Sequence, residues 1–162
     1  MNRFALLALA ALAIATPASA QNGAQIARAR AGADCPGCNL FQADFSNLGL
    51  KGRNFSGARL RQADLSLGVF NRTRFTGGDL RDVNGYGGVF SSASFARANM
   101  TNATFVGAYL EGANFAGATL VGVNFSGAQM DHAVGLTQRQ LDGACGDETT
   151  TLPRGLRIPR CR

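Results

Sequence analysis

Ala98-Asn99-Met100-Thr101-Asn102-Ala103-Thr104-Phe105-Val106-Gly107-Ala108-Tyr109-Leu110-Glu111-Gly112 places a large apolar residue at every fifth position, Met100, Phe105 and Leu110, with Ala two residues before each. The register runs outward in both directions, from Cys38 to Ala133. Its nineteen centres are Leu40, Phe45, Leu50, Phe55, Leu60, Leu65, Phe70, Phe75, Leu80, Gly85, Phe90, Phe95, Met100, Phe105, Leu110, Phe115, Leu120, Phe125 and Met130, and only Gly85 lacks a large apolar side chain. Nine of the eleven Phe fall on centres, and Ala fills ten of the positions two residues upstream, so composition alone does not produce the pattern.

A period of five fits neither regular element. Helical residues five apart lie about 140° apart, which would smear the Phe/Leu row around the cylinder. In a strand the side-chain period is two, so an odd repeat throws successive centres onto opposite faces. Both objections vanish if the chain turns a corner in each unit and winds around its own core. Short repeats of this kind mark solenoids, in which stacking supplies the core that no single unit has.

The units Ala113-Asn114-Phe115-Ala116-Gly117, Ala98-Asn99-Met100-Thr101-Asn102 and Ala63-Asp64-Leu65-Ser66-Leu67 read A(N/D)Lxx, a pattern that resembles the pentapeptide-repeat family over residues 38–133. The resemblance implies an all-β solenoid, the family's right-handed quadrilateral β-helix with four pentapeptides per turn. Nineteen units then make about 4.75 turns, a rod about 23 Å long at about 4.8 Å per turn. Residues twenty apart should stack, giving one column of Phe55, Phe75, Phe95 and Phe115 and another of Leu40, Leu60, Leu80, Met100 and Leu120. Gly two residues after a centre, as at Gly107 and Gly117, suits a turn with positive φ.

Taken in order, residues 1–20 look like a cleavable secretory leader: Arg3, the apolar run Phe4 to Ala15, then Pro17-Ala18-Ser19-Ala20, with the cut expected after Ala20. The run is too short for a transmembrane segment. Its removal lowers the formal charge from +6 to +5 through loss of Arg3. Residues 21–34 read as a weakly ordered lead-in with a short helical stretch, 35–133 as the repeat body and 134–162 as a C-terminal cap and tail. Leu48 and Arg53 occupy inward positions, so the first turn should splay there, because burying an unpaired guanidinium is costly. At Gly85 either Tyr86 swings in or a dimple opens beside Val83. Thr137 with Gln140 forms a capping box that starts a short helix over the open strand edge.

Four Cys behind a leader argue for disulfides in an oxidising compartment, the periplasm or the exterior. In a rod, Cys35 and Cys38 lie at one end and Cys145 and Cys161 at the other, so the pairs that remain are Cys35 with Cys38 and Cys145 with Cys161. Two readings compete. Cys35-Pro36-Gly37-Cys38 has the spacing of a redox motif, which needs its first Cys at a helix N-terminus. A zinc site needs all four thiolates around one metal, which the rod separates.

No catalytic constellation appears and no cofactor is implied. His132 is the single His and sits at an outward corner beside Asp131. Asp44, Asp64 and Asp79 alternate with Asn in the slot before a centre, where bonding to turn backbone is the expected role. Eight basic residues lie between 51 and 97, and none between 98 and 133. Arg59, Arg61 and Arg81 should share one face, a candidate surface for anionic polymers or envelope glycolipid that Asp64, Asp79 and Asp82 partly balance. No aromatic platform accompanies them, which argues against nucleic acid. Family members that bind DNA gyrase imitate duplex DNA with an acidic rod; this chain is basic and carries a leader. The sequence thus reads as a non-enzymatic, exported scaffold for an unknown protein partner or anionic envelope polymer, with the oligomeric state open.

Overall fold

From the Asn39–Arg59 bridge to the Asn114–Val134 bridge, the ladder pairs residues twenty apart, in parallel, so four five-residue units complete one coil. The structure is a computed structural model describing residues 21–162, and the leader expected over residues 1–20 lies outside the described residues. Each bridge is a single residue wide, so the four walls are stacks of short rungs rather than long strands. Centre amides donate to the coil above, as from Leu40 to the Arg59 carbonyl (2.9 Å), and the amide of Arg59 donates back to the Cys38 carbonyl (2.8 Å).

The corners explain the motif. The amide two residues before a centre donates to the carbonyl of the preceding centre, as from Ala58 to Phe55 at 3.0 Å, closing a tight turn. The residue two after the centre adopts a left-handed conformation even where it is not glycine, as at Leu67 (φ 56°) and Arg97 (φ 57°). The Asn or Asp just before a centre reaches over it: Oδ1 of Asp44, Asp64, Asn114 and Asn124 each accepts from the amide two residues on, at 2.9 Å. That bond fixes the turn without help from a neighbouring coil.

Inside, the four columns pack as the register requires. Phe55, Phe75, Phe95 and Phe115 form one continuous column, with ring centroids 5.9, 5.3 and 5.3 Å apart. Every centre from Leu40 to Met130 is buried, Gly85 included, and each large apolar one contributes about 1.5–3 kcal/mol. Thr73 takes a slot usually held by Ala, fully buried, and its hydroxyl donates to the Leu50 carbonyl at 2.7 Å.

Three expectations change. The first coil does not splay: Arg53 is exposed, while its carbonyl still accepts from Arg74 at 2.8 Å and that of Leu48 from Val69 at 2.8 Å. The guanidinium escapes to solvent at the incomplete end coil, so the backbone need not yield. At Gly85 there is neither an inswung Tyr86 nor a dimple. Tyr86 is 53% exposed, and a Cβ on Gly85 would lie 2.7 Å from Cε1 of Phe105, so the ring twenty residues on fills the gap. The lead-in is also not loose. It forms α1, Gly23–Arg30, capped by Asn22, whose side chain accepts from Gln25 N, and it packs Ala29 and Ile26 against the end of the core.

Both ends of the ladder are closed from within the chain. At the N-terminal edge Gln25 Oε1 accepts from Asn39 N (2.7 Å) and Asp34 Oδ1 from Asn54 N (2.8 Å). At the other end lies α2, Gln138–Leu141, with the Thr137–Gln140 capping box. Gln140 Nε2 donates to the carbonyls of Phe115 and Ala118, both at 2.9 Å, and Leu141 is buried. The chain then rejoins the solenoid, pairing Cys145 with Asn124 and Thr151 with Gln129.

Candidate binding faces

The Leu40 face carries Arg59, Arg61 and Arg81, brought together by the twenty-residue stacking. None of the three is idle. Arg81 grips Asp79 with two bonds, Nε to Oδ1 at 2.7 Å and Nη2 to Oδ2 at 2.6 Å, and this pairing holds the Asp79 carboxyl below the ordinary carboxylate range. Arg61 Nε lies 3.4 Å from Asp82 Oδ2. The Arg59 guanidinium sits 4.8 Å from the centroid of the Phe41 ring. Two of the three positive charges are thus answered locally, leaving Arg59 as the cation without a carboxylate partner among the described ion pairs.

The Leu50 face differs. Val69, Val89 and Tyr109 are bridged in succession along it, and Tyr109 is 46% exposed. Leu67 and Tyr86 stand exposed around the adjoining corner, where the methyl Cδ2 of Leu67 leans over Gly87. Beside this apolar stripe lie Lys51 and Arg72 at the N-terminal end and Glu111, Asp131 and His132 at the C-terminal end, all exposed. Among the described residues Lys51 and Arg72 make no ion pair, and His132 Nδ1 lies 3.1 Å from Glu111 Oε1.

The cysteines pair within each end. Cys35 and Cys38 are joined with Cα atoms 5.4 Å apart, and Cys145 and Cys161 with Cα atoms 4.8 Å apart. Cys35 occupies the place below Phe55 in the Phe column, and both Cys35 and Cys38 are buried under α1. Arg28 Nη2 reaches both sulfurs, at 3.4 and 3.5 Å. Cys35 follows the C-terminal end of α1, opposite to the placement that activates a redox cysteine.

The sequence profile of pentapeptide repeats matches residues 54–84 and 98–134, and a second profile of the same repeats matches residues 70–114. The chain belongs to the pentapeptide-repeat family. Among solved structures, a pentapeptide-repeat protein (Rfr23) from the cyanobacterium Cyanothece 51142 is 22% identical, with 80% of this chain and 97% of that one covered at a TM-score of 0.49. A pentapeptide-repeat protein of the Arabidopsis thaliana thylakoid lumen is 26% identical over 66% of this chain and 59% of its own, at a TM-score of 0.31. QnrB1, a plasmid-mediated fluoroquinolone resistance protein, is 23% identical over 76% of each chain, at a TM-score of 0.28. No curated protein matches significantly.

In this pentapeptide-repeat chain the motif locates the walls but not what closes them. Gln25, Asp34 and Gln140 seal ladder edges with side chains, and Arg28 bridges the first cystine. Only the capping box of Gln140 is a signal that the sequence carries. Asp147, outside the repeats, gathers the hydroxyl of Thr149 and the amide of Gly127, which together hold its carboxyl down at about 2.

Proposed function

We propose that this is a non-enzymatic, exported pentapeptide-repeat protein that offers a rigid side wall to protein partners in the periplasm or envelope. The observation that carries the reading is the closure of both ends: helices and cystines cover the two ladder edges, so a partner meets the walls and not an open strand edge. Two disulfides suit an oxidising compartment, and no helix among the described residues is long and apolar enough to cross a membrane. The test is expression of the full chain in its host with a C-terminal tag. Release in the envelope fraction with an N-terminus at Gln21, together with photo-cross-linking from Tyr109, but not from Thr119 on another wall, to a protein other than this chain, supports the reading. A cytoplasmic product with an intact leader, whose four cysteines titrate as free thiols, overturns it.

A second reading, an anion-binding Arg face, draws on Arg59, which the Asp residues of its wall leave unpaired. Salt-sensitive retention on an anionic matrix that is lost in Arg59→Glu with Arg61→Glu supports it, and unchanged retention removes it. A gyrase-mimicking role fits less well, since the chain carries a formal net charge of +6.

A further inference from the structure

The charges on the Leu50 face are sorted along the rod. Of the five repeat coils on this wall, Lys51 and Arg72 stand on the first two, Val89, Ser91 and Ser92 on the middle one, and Glu111 and Asp131 on the last two, with His132 beside Asp131 and the Thr151 rung of the returning tail stacked beyond. This order is antisymmetric about the middle coil. A half-turn about an axis that runs along the Val89–Ser91 rung, in the plane of the contact, lays the coil of Lys51 against the coil of Asp131 of a second copy, and that of Arg72 against that of Glu111.

We propose that the Leu50 face is a self-association surface, on which a second copy of this chain packs antiparallel across that two-fold axis. Lys51 and Asp131 hold the same position on their coils, each one residue after its centre, so across that axis Lys51 faces Asp131 of the second copy directly. Arg72 approaches Glu111 of the second copy across the same axis. Each copy uses the same patch, as an isologous interface requires. The apolar stripe of Val69, Val89 and Tyr109 lies within the strip that the contact covers.

Charge selects both the occupant and its direction. A parallel pairing would set Lys51 on Lys51 and Glu111 on Glu111, which repels. The Leu40 face offers no such pairing, because its Arg61 and Arg81 stand beside Asp82 and Asp79 instead of being separated from them along the rod; on the Leu50 face Glu111 and Asp131 meet His132 and the Thr151 hydroxyl of their own chain, neither of them a lysine or arginine. The strip is five coils long, about 24 Å at about 4.8 Å per coil, so the interface falls at the small end of the range and the dimer is weak and salt-sensitive. The inference does not need the scaffold reading, since self-association and capture of another protein are measured separately.

Lys51 is the single lysine of the chain, which makes the test specific. A zero-length carbodiimide joins an amine to a carboxylate in direct contact. Lys51 and Asp131 lie four coils, about 19 Å, apart within one chain, so any link between them joins two copies. The full disulfide-bonded protein at about 100 µM in low salt should give a cross-linked dimer whose peptides join Lys51 to Asp131 or Glu111. Sedimentation should show a concentration-dependent dimer that weakens at least tenfold in about 0.5 M salt. Lys51→Glu with Arg72→Glu, and Glu111→Lys with Asp131→Lys, change exposed groups and should each abolish self-association. A mixture of the two variants should associate again. A monomer at that concentration overturns the proposal, as does a dimer indifferent to both variants, a mixture that fails to associate, or a link that maps elsewhere.

Discussion

The ring of Phe105 occupies the space that a side chain on Gly85 would need, with Cε1 2.7 Å from the position of an added Cβ. The blank in the motif is therefore already filled. Restoring the repeat with Gly85→Leu should destabilise the protein by about 1–3 kcal/mol through overpacking. Phe105→Leu combined with Gly85→Leu should recover most of that loss. Denaturant unfolding of the two single variants and the double variant measures the coupling, and an additive double variant would show that Phe105 does not fill the gap.

Corner geometry predicts opposite effects at two positions. Gly135 has φ +73°, and a Cβ there would lie 2.6 Å from the backbone nitrogen of Ala116. Gly135→Ala should cost about 2 kcal/mol or more, because backbone cannot give way as a side chain can. Leu67, at φ 56° with its side chain 55% exposed, pays strain for little burial. Leu67→Gly should be neutral to stabilising by up to about 1 kcal/mol. Shifts in thermal midpoint check both signs.

The C-terminal closure separates into two contributions. Cys161→Ser opens a cross-link of sequence separation 16, for which about 3 kcal/mol is expected. Gln140→Ala removes the side-chain donor from the Ala118 carbonyl and leaves the Phe115 carbonyl with the Ala118 amide, at about 1 kcal/mol per lost bond. Hydrogen exchange should localise the second loss to the amides of the last coil, such as Cys145 and Thr151. A loss spread evenly over all coils would contradict this assignment.

Asp147 sets an acid limit. Its carboxyl is held at about 2 against an ordinary 3.8 by the Thr149 hydroxyl and the Gly127 amide. Because the folded value is depressed, its contribution is complete above about pH 4 and disappears as pH falls through about 2. Asp147→Asn should lower stability at pH 7 and flatten the dependence between pH 4 and 2. Denaturant midpoints across that window provide the comparison, and parallel curves for the two proteins would exclude the role.

The walls were legible because a fivefold register is carried by side-chain size alone. The Phe55 to Phe115 column and the Asn and Asp turn bonds followed from it. What escaped lies where the register stops being five. The return of the chain pairs Asn124 with Cys145 and Gln129 with Thr151, at separations of twenty-one and twenty-two residues, so the α2 segment adds one residue and the turn between Cys145 and Thr151 a second, neither of which a count in fives anticipates. The pairing of Arg81 with Asp79 rather than with solvent was also out of reach, since both orientations satisfy the spacing. The filling of Gly85 from a residue twenty positions away required packing, not pattern.

The twenty-residue pairing of the coils makes length in this protein a quantised variable. Gain or loss of twenty residues within the walls would change the rod by one storey, about 4.8 Å, and leave each wall facing its old direction. Gain or loss of five would instead rotate everything beyond the splice by a quarter turn, taking Glu111 and Asp131 off the side that bears Lys51. A family built this way can vary its reach freely, but only in whole storeys if its surface is to stay aligned.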